Sequence, residues 1–146
     1  MKLNKYILLA IWLGMYILCA VLGFLPPQEG GNKILLMVIA VLFFLPPALL
    51  LYHSRQKQDR KLLQLVQRIS LIVLIASVVA LLLNLFSIAL LLVMPEDAAL
   101  VFGDVLYDLL ILVSTPMVCG QSWGIGLIGW ASLLWTCIFL KKAMKN

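Results

Sequence analysis

Charge is scarce in this chain. Of its 146 residues only 12% are Asp, Glu, Lys or Arg, and 64% are hydrophobic. Soluble domains carry about 25% charged and about 45–50% apolar residues, so this composition excludes a surface-bound or secreted globular fold. Histidine is limited to His53. The three cysteines, Cys19, Cys119 and Cys137, are widely spaced and form no Cys-x-x-Cys. Neither a zinc site nor a disulfide framework fits that pattern, and the cysteines read as small apolar fillers inside helices. There is no phosphate loop and no paired Glu/His motif, and Cys119 has no basic partner near it. Metalloprotease and hydrolase chemistry are therefore unsupported. The expectation is a non-enzymatic chain with no cofactor and no metal.

Long apolar runs are what the chain has instead, with a mean hydropathy of +1.13. A hydrocarbon core of about 30 Å takes about 20 residues of helix per crossing. The fold class that follows is all-α: a polytopic membrane helical bundle forming one integral membrane domain over residues 1–146. Four transmembrane helices are expected at about 6–25, 34–52, 69–94 and 121–140, with a re-entrant or interfacial helix at about 98–113 before the last one. The first run is longer than the 7–15 residues of a signal-peptide core and no small-x-small site follows it, so it reads as a retained helix. Pro46-Pro47 fall inside the second span, where two missing backbone donors predict a kink or local unwinding.

The net charge of +5 is not a nucleic-acid footprint, because the basic residues flank the apolar runs. From His53 to Gln67, apolar positions recur at helical spacing among Arg55, Lys57, Arg60 and Lys61, with Arg68 just beyond. This reads as a loop becoming an interfacial amphipathic helix that enters the third span. These five cations either attract anionic lipid, at about 1 kcal/mol per charge, or only set topology. Placing both termini and this segment in the cytoplasm puts ten of the eleven Lys and Arg inside, and five of the six acids outside. Lys33 and Asp59 are the exceptions. Both termini on one side requires an even number of crossings, hence four.

Within the spans, Ser70, Ser77 and Asn84 are seven residues apart and share one slowly drifting stripe. Such a stripe is expected to face another helix, with Asn84 as interhelical glue or a path-lining ligand. Gly120 and Gly124, in a small-x-x-x-small pattern, and Ser77 are candidate helix-packing positions.

The segment from Gly103 to Gly124 is the polar exception in the second half of the chain. As a helix, the stretch from Asp97 to Met117 lines up Asp97, Asp104 and Asp108 within about 20° of one stripe, and Thr115 returns to the same line. A full crossing here would bury Asp104 and Asp108 at roughly 2.5–3.5 kcal/mol each, against ~0.3–0.6 kcal/mol returned by each large apolar residue. The balance is near zero, which favours the re-entrant or interfacial helix over a fifth crossing. Ser114-Thr115-Pro116 then breaks the helix at membrane depth, where free backbone groups must be buried in protein or line a wet cavity.

Asp104 and Asp108 lie one turn apart, an arrangement suited to sharing a proton or holding a cation. With Thr115 and Asn84 they form the candidate ion, proton or ligand site; a plain acidic outer face is the alternative. Two functions follow. The first is a non-catalytic accessory subunit of a larger membrane complex. The second is a small homo-oligomeric proton- or cation-coupled transporter or channel using Asp104 and Asp108. The expected partners are the lipid bilayer and other membrane subunits or further copies of the chain, in a prokaryotic plasma membrane.

Overall fold

The computed structural model of the chain describes residues 4–26, 29–90, 92–116 and 123–145, and among these the only regular structure is helix. Six helices follow in order: α1 (Lys5–Gly23), α2 (Gly31–Leu42), α3 (Leu45–Lys57), α4 (Arg60–Leu90), α5 (Glu96–Val113) and α6 (Trp123–Ala143). Four stretches are long and apolar enough to cross a membrane, namely Lys5–Gly23, Gly31–Lys57, Arg60–Leu90 and Trp123–Ala143. A membrane bundle fits this architecture. Its outer surface agrees, with Leu82, Phe86, Ile128, Trp135 and Phe139 all exposed.

Local chemistry sets the ends of these helices. Asn4 caps α1 by accepting the Tyr6 amide at 3.2 Å. Gly30 precedes α2 with φ at +67°, a backbone that L side chains rarely adopt. The second span divides at Phe43-Phe44, and Pro46 lies in the first turn of α3, where its missing N–H has no intrahelical partner to lose. The predicted kink is therefore a change of helix.

Ahead of the third span the sequence suggested a loop becoming a helix that enters that span; the structure has that helix, as the start of α4, and corrects only the loop. Residues 53–57 complete α3, Gln58 closes it in the left-handed region at φ 54°, and Asp59 opens α4 at once. Asp59 Oδ1 accepts the Leu62 amide at 3.1 Å, which is an N-cap. Arg60, Lys61 and Arg68 are thus the exposed side of the first turns of α4.

α4 is the axis of the bundle. Its 31 residues make a rod about 46 Å long. α5 turns back along its far half, where Ala80 packs on Leu110 and Ile111. α6 covers the near half, where Leu133, Cys137, Leu140 and Met144 share a core with Leu62, Leu63 and Val66. α1 packs on α3 and reaches the end of α5, while α2 meets α6 through Ala40 and Ile125. In the centre Trp12, Phe43, Phe44 and Trp130 form one aromatic cluster with ring centroids 5.2–6.5 Å apart. Such contacts add to the area buried by tying α1, the α2–α3 junction and α6 in specific orientations.

The basic segments gather at one end. Lys5 Nζ pairs with Asp59 Oδ2 at 3.2 Å, and Arg60 donates to the Met144 carbonyl at 2.9 Å. Asp59, the acid that broke the charge pattern, is thus both the cap of α4 and the counter-ion of α1. Its carboxyl is held below the usual range, first by the Leu62 N–H and then by the Lys5 ammonium.

Candidate functional site

A helix that stops inside a bundle leaves its last carbonyls without intrahelical donors. α5 stops beside Ser77, near the middle of α4, and the neighbouring helices meet that need. Tyr16 of α1 donates its hydroxyl to the Leu112 carbonyl at 2.6 Å. Ser77 of α4 donates to the Val113 carbonyl at 3.2 Å. Trp130 of α6 donates its indole N–H to the Thr115 carbonyl at 2.7 Å. The Ser114 amide returns to the Leu110 carbonyl at 2.8 Å. Three helices each contribute one donor to a single chain break.

Thr115 sits at the centre of this joint, 0% exposed. Its hydroxyl lies 3.1 Å from the Leu112 carbonyl and 3.3 Å from that of Ile111. Ser114 and Pro116 are buried with it. α6 passes close by: a Cβ added at Gly126 would lie 3.1 Å from the Ser114 carbonyl oxygen. Beside the joint is an apolar cavity of about 270 Å³, walled by Trp12, Tyr16, Phe43 and Trp130 together with α4 residues Ile69 and Val73. The Trp12 indole N–H is buried next to it with no hydrogen-bond partner among the described residues.

The aspartates are elsewhere. Asp104 and Asp108 are exposed, Asp108 on the side of α5 opposite the buried Ala99 and Leu110 and Asp104 at the edge of the packed face, on the stripe of the buried Ile111. The line that extrapolation drew from them to Thr115 is broken, because the helix ends at Val113 and Thr115 turns inward. The candidate site therefore separates into an outward acidic face and an inward joint. Asn84 is half-buried further along α4, with its carbonyl accepting the Ser87 hydroxyl at 2.7 Å. Among the described residues no hydrogen bond joins it to either half.

Of the packing candidates, Ser77 is buried and bonded to α5. At Gly124 an added Cβ would meet nothing within 4 Å among the described residues, whereas at Gly129 it would overlap the Phe44 ring. Gly120 and Cys119 lie outside the described residues. Among the described residues no three His, Cys, Asp or Glu side chains gather as a metal site.

Sequence reasoning missed Tyr16 and Trp130 as partners of the break. A lone Tyr or Trp in an apolar helix carries no local signal of its acceptor; the only hint was that a broken helix must find donors somewhere. The chain matches no known protein-family model, no curated protein and no solved structure.

Proposed function

We propose that the protein is a non-catalytic accessory subunit of a larger membrane complex, and that the acidic face of α5 is the surface it offers to its partner. The observation that carries this reading is the outward direction of Asp104 and Asp108 on a helix whose other side is packed on α4. Carboxylates beside apolar, membrane-length helices need a counter-charge or water. Here the bundle lies behind them, so the counter-charge comes from another chain. The polar groups at the buried joint support the same reading, since they satisfy one another and leave α5 seated as a fixed element.

The runner-up is a homo-oligomeric proton- or cation-coupled transporter. The same outward face favours it, because copies arranged around an axis would turn Asp104 and Asp108 towards one another. In both readings α5 is re-entrant from the outer side of a prokaryotic plasma membrane, with both termini cytoplasmic. The clustering of Lys5, Asp59, Arg60 and Met144 at one end of the bundle supports that sidedness.

Purification of the tagged protein in mild detergent, with mass spectrometry of what accompanies it, separates the two. A stoichiometric foreign partner, lost when Asp104→Asn and Asp108→Asn are combined, is the expected result. A clean homo-oligomer would move the assignment to the transporter. A foreign partner that survives the double substitution would remove the acidic face from the interface. Topology is checked by impermeant thiol labelling of Cys119 in intact cells, with Cys19 and Cys137 replaced. Labelling from outside is expected, and labelling only from the cytoplasmic side would overturn the re-entrant arrangement.

A further inference from the structure

At the basic end of the bundle, α4 and the last turn of α6 diverge around a cavity of about 190 Å³. Its lining is Arg60, Gln64, Lys141 and Lys145 around an apolar floor of Leu63 and Met144. Three cations and an amide converge there, and among the described residues no carboxylate lines the wall. The nearest acid in sequence, Asp59, is already engaged by Lys5 and the Leu62 amide.

One wall is fixed in place. Arg60 bonds the Met144 carbonyl at 2.9 Å, which anchors its guanidinium between the two helices. A guanidinium has five N–H donors, so that bond leaves others for a ligand. Leu63 and Met144 are buried, at 2% and 9% exposure, which gives the floor a firm apolar surface. Lys141 and Lys145 are four residues apart and both exposed, so their ammonium groups can close over an occupant.

We propose that this cavity is a binding site for a phosphate-bearing anion, and that the phosphate is the headgroup of an anionic membrane lipid. Arg and Lys around a pocket between membrane helices supply the charge and the donors a phosphodiester needs. The apolar floor suits the glycerol and first methylenes that follow such a phosphate. The site is independent of any partner subunit.

The test is native mass spectrometry of the full chain in a neutral detergent, titrated separately with phosphatidylglycerol, phosphatidylcholine and inorganic pyrophosphate. Phosphatidylglycerol is expected to bind at least about tenfold more tightly than phosphatidylcholine. Each charge removed from the pocket should weaken it about fivefold, so Lys141→Gln with Lys145→Gln lowers affinity about 25-fold. Lys57→Gln with Lys61→Gln removes the same charge from the same end of the bundle but outside the cavity, and should cost much less. Equal losses from the two pairs would mean diffuse surface attraction and overturn the site. Equal binding of the two lipids would overturn it as well. Saturable pyrophosphate binding without preference for phosphatidylglycerol would overturn the lipid assignment.

Discussion

The Leu112 carbonyl faces two donors, the Tyr16 hydroxyl at 2.6 Å and the Thr115 hydroxyl at 3.1 Å, whose one proton is shared with the Ile111 carbonyl at 3.3 Å. That redundancy makes a sharp prediction for a double-mutant cycle. Tyr16→Phe and Thr115→Val are nearly isosteric, and each removes one donor while leaving the other. Each single change should cost about 0.6 kcal/mol and no more than about 1.7, the range for interhelical hydrogen bonds in membranes. Together they strip the carbonyl of a residue that faces out of the bundle, and an acceptor left bare in lipid costs a further ~1–3 kcal/mol. The double variant should therefore lose about 2–4 kcal/mol, with a coupling of about 1–3 kcal/mol between the sites. The bond from Thr115 to Ile111 is lost in both arms that carry the valine and cancels from the cycle. Equilibrium unfolding of the four proteins by SDS titration in micelles, followed by far-UV circular dichroism, measures it. Additivity within about 0.5 kcal/mol would mean that water reaches the carbonyl, and the idea of a dry joint would fail.

Two further outcomes are expected from the same assay. Gly129→Ala gains about 1 kcal/mol of helix propensity, but overpacking against Phe44, which Phe43 and Trp130 hold edge-on, costs more. A net loss of about 1–2 kcal/mol is expected, relieved by a second change Phe44→Leu. Asp59→Ala removes the cap of α4 and should cost about 0.5–2 kcal/mol, whereas Asp59→Asn keeps the cap and loses only the Lys5 pair. Because the native Asp59 carboxyl lies below the usual range, its contribution is complete above about pH 4, the ordinary Asp value, and is lost as pH falls through the lower native value. Unfolding midpoints measured down an acid series should show that loss in the wild type and not in Asp59→Asn.

Much of the architecture was legible because it rests on local rules. Apolar run length located the four spans, Pro46-Pro47 marked the break between α2 and α3, and Ser114-Thr115-Pro116 marked the end of α5. The Ser70–Ser77–Asn84 stripe was expected to face protein, and Ser70 and Ser77 are buried while Asn84 is half-buried. What failed was extrapolation past a helix end. A helical wheel assumes a helix continues, so it kept Thr115 with Asp104 and Asp108 although two residues of broken backbone turn it the other way. The loop expected at 53–57 failed for a different reason. Composition shows that Arg60 and Lys61 face water, but a two-residue turn with Gln58 in the left-handed region is a backbone event without the usual Gly signature. The aromatic cluster of Trp12, Phe43, Phe44 and Trp130 depends on contacts between residues far apart in sequence, which periodicity does not encode.

The uninterrupted α4 beside the broken pair α5 and α6 behaves like a splint across a fracture. An uninterrupted rod packed against both helices fixes the register at which α5 and α6 lie along it. The donors at that joint come from α1, α4 and α6, so tilting α5 pulls on all three. Tyr16 and Trp130 thus tie the end of α5, and the residues just past it, to α1 and α6. Both residues also wall the apolar cavity, so the side chains that hold the end of α5 are the ones that shape the space beside it.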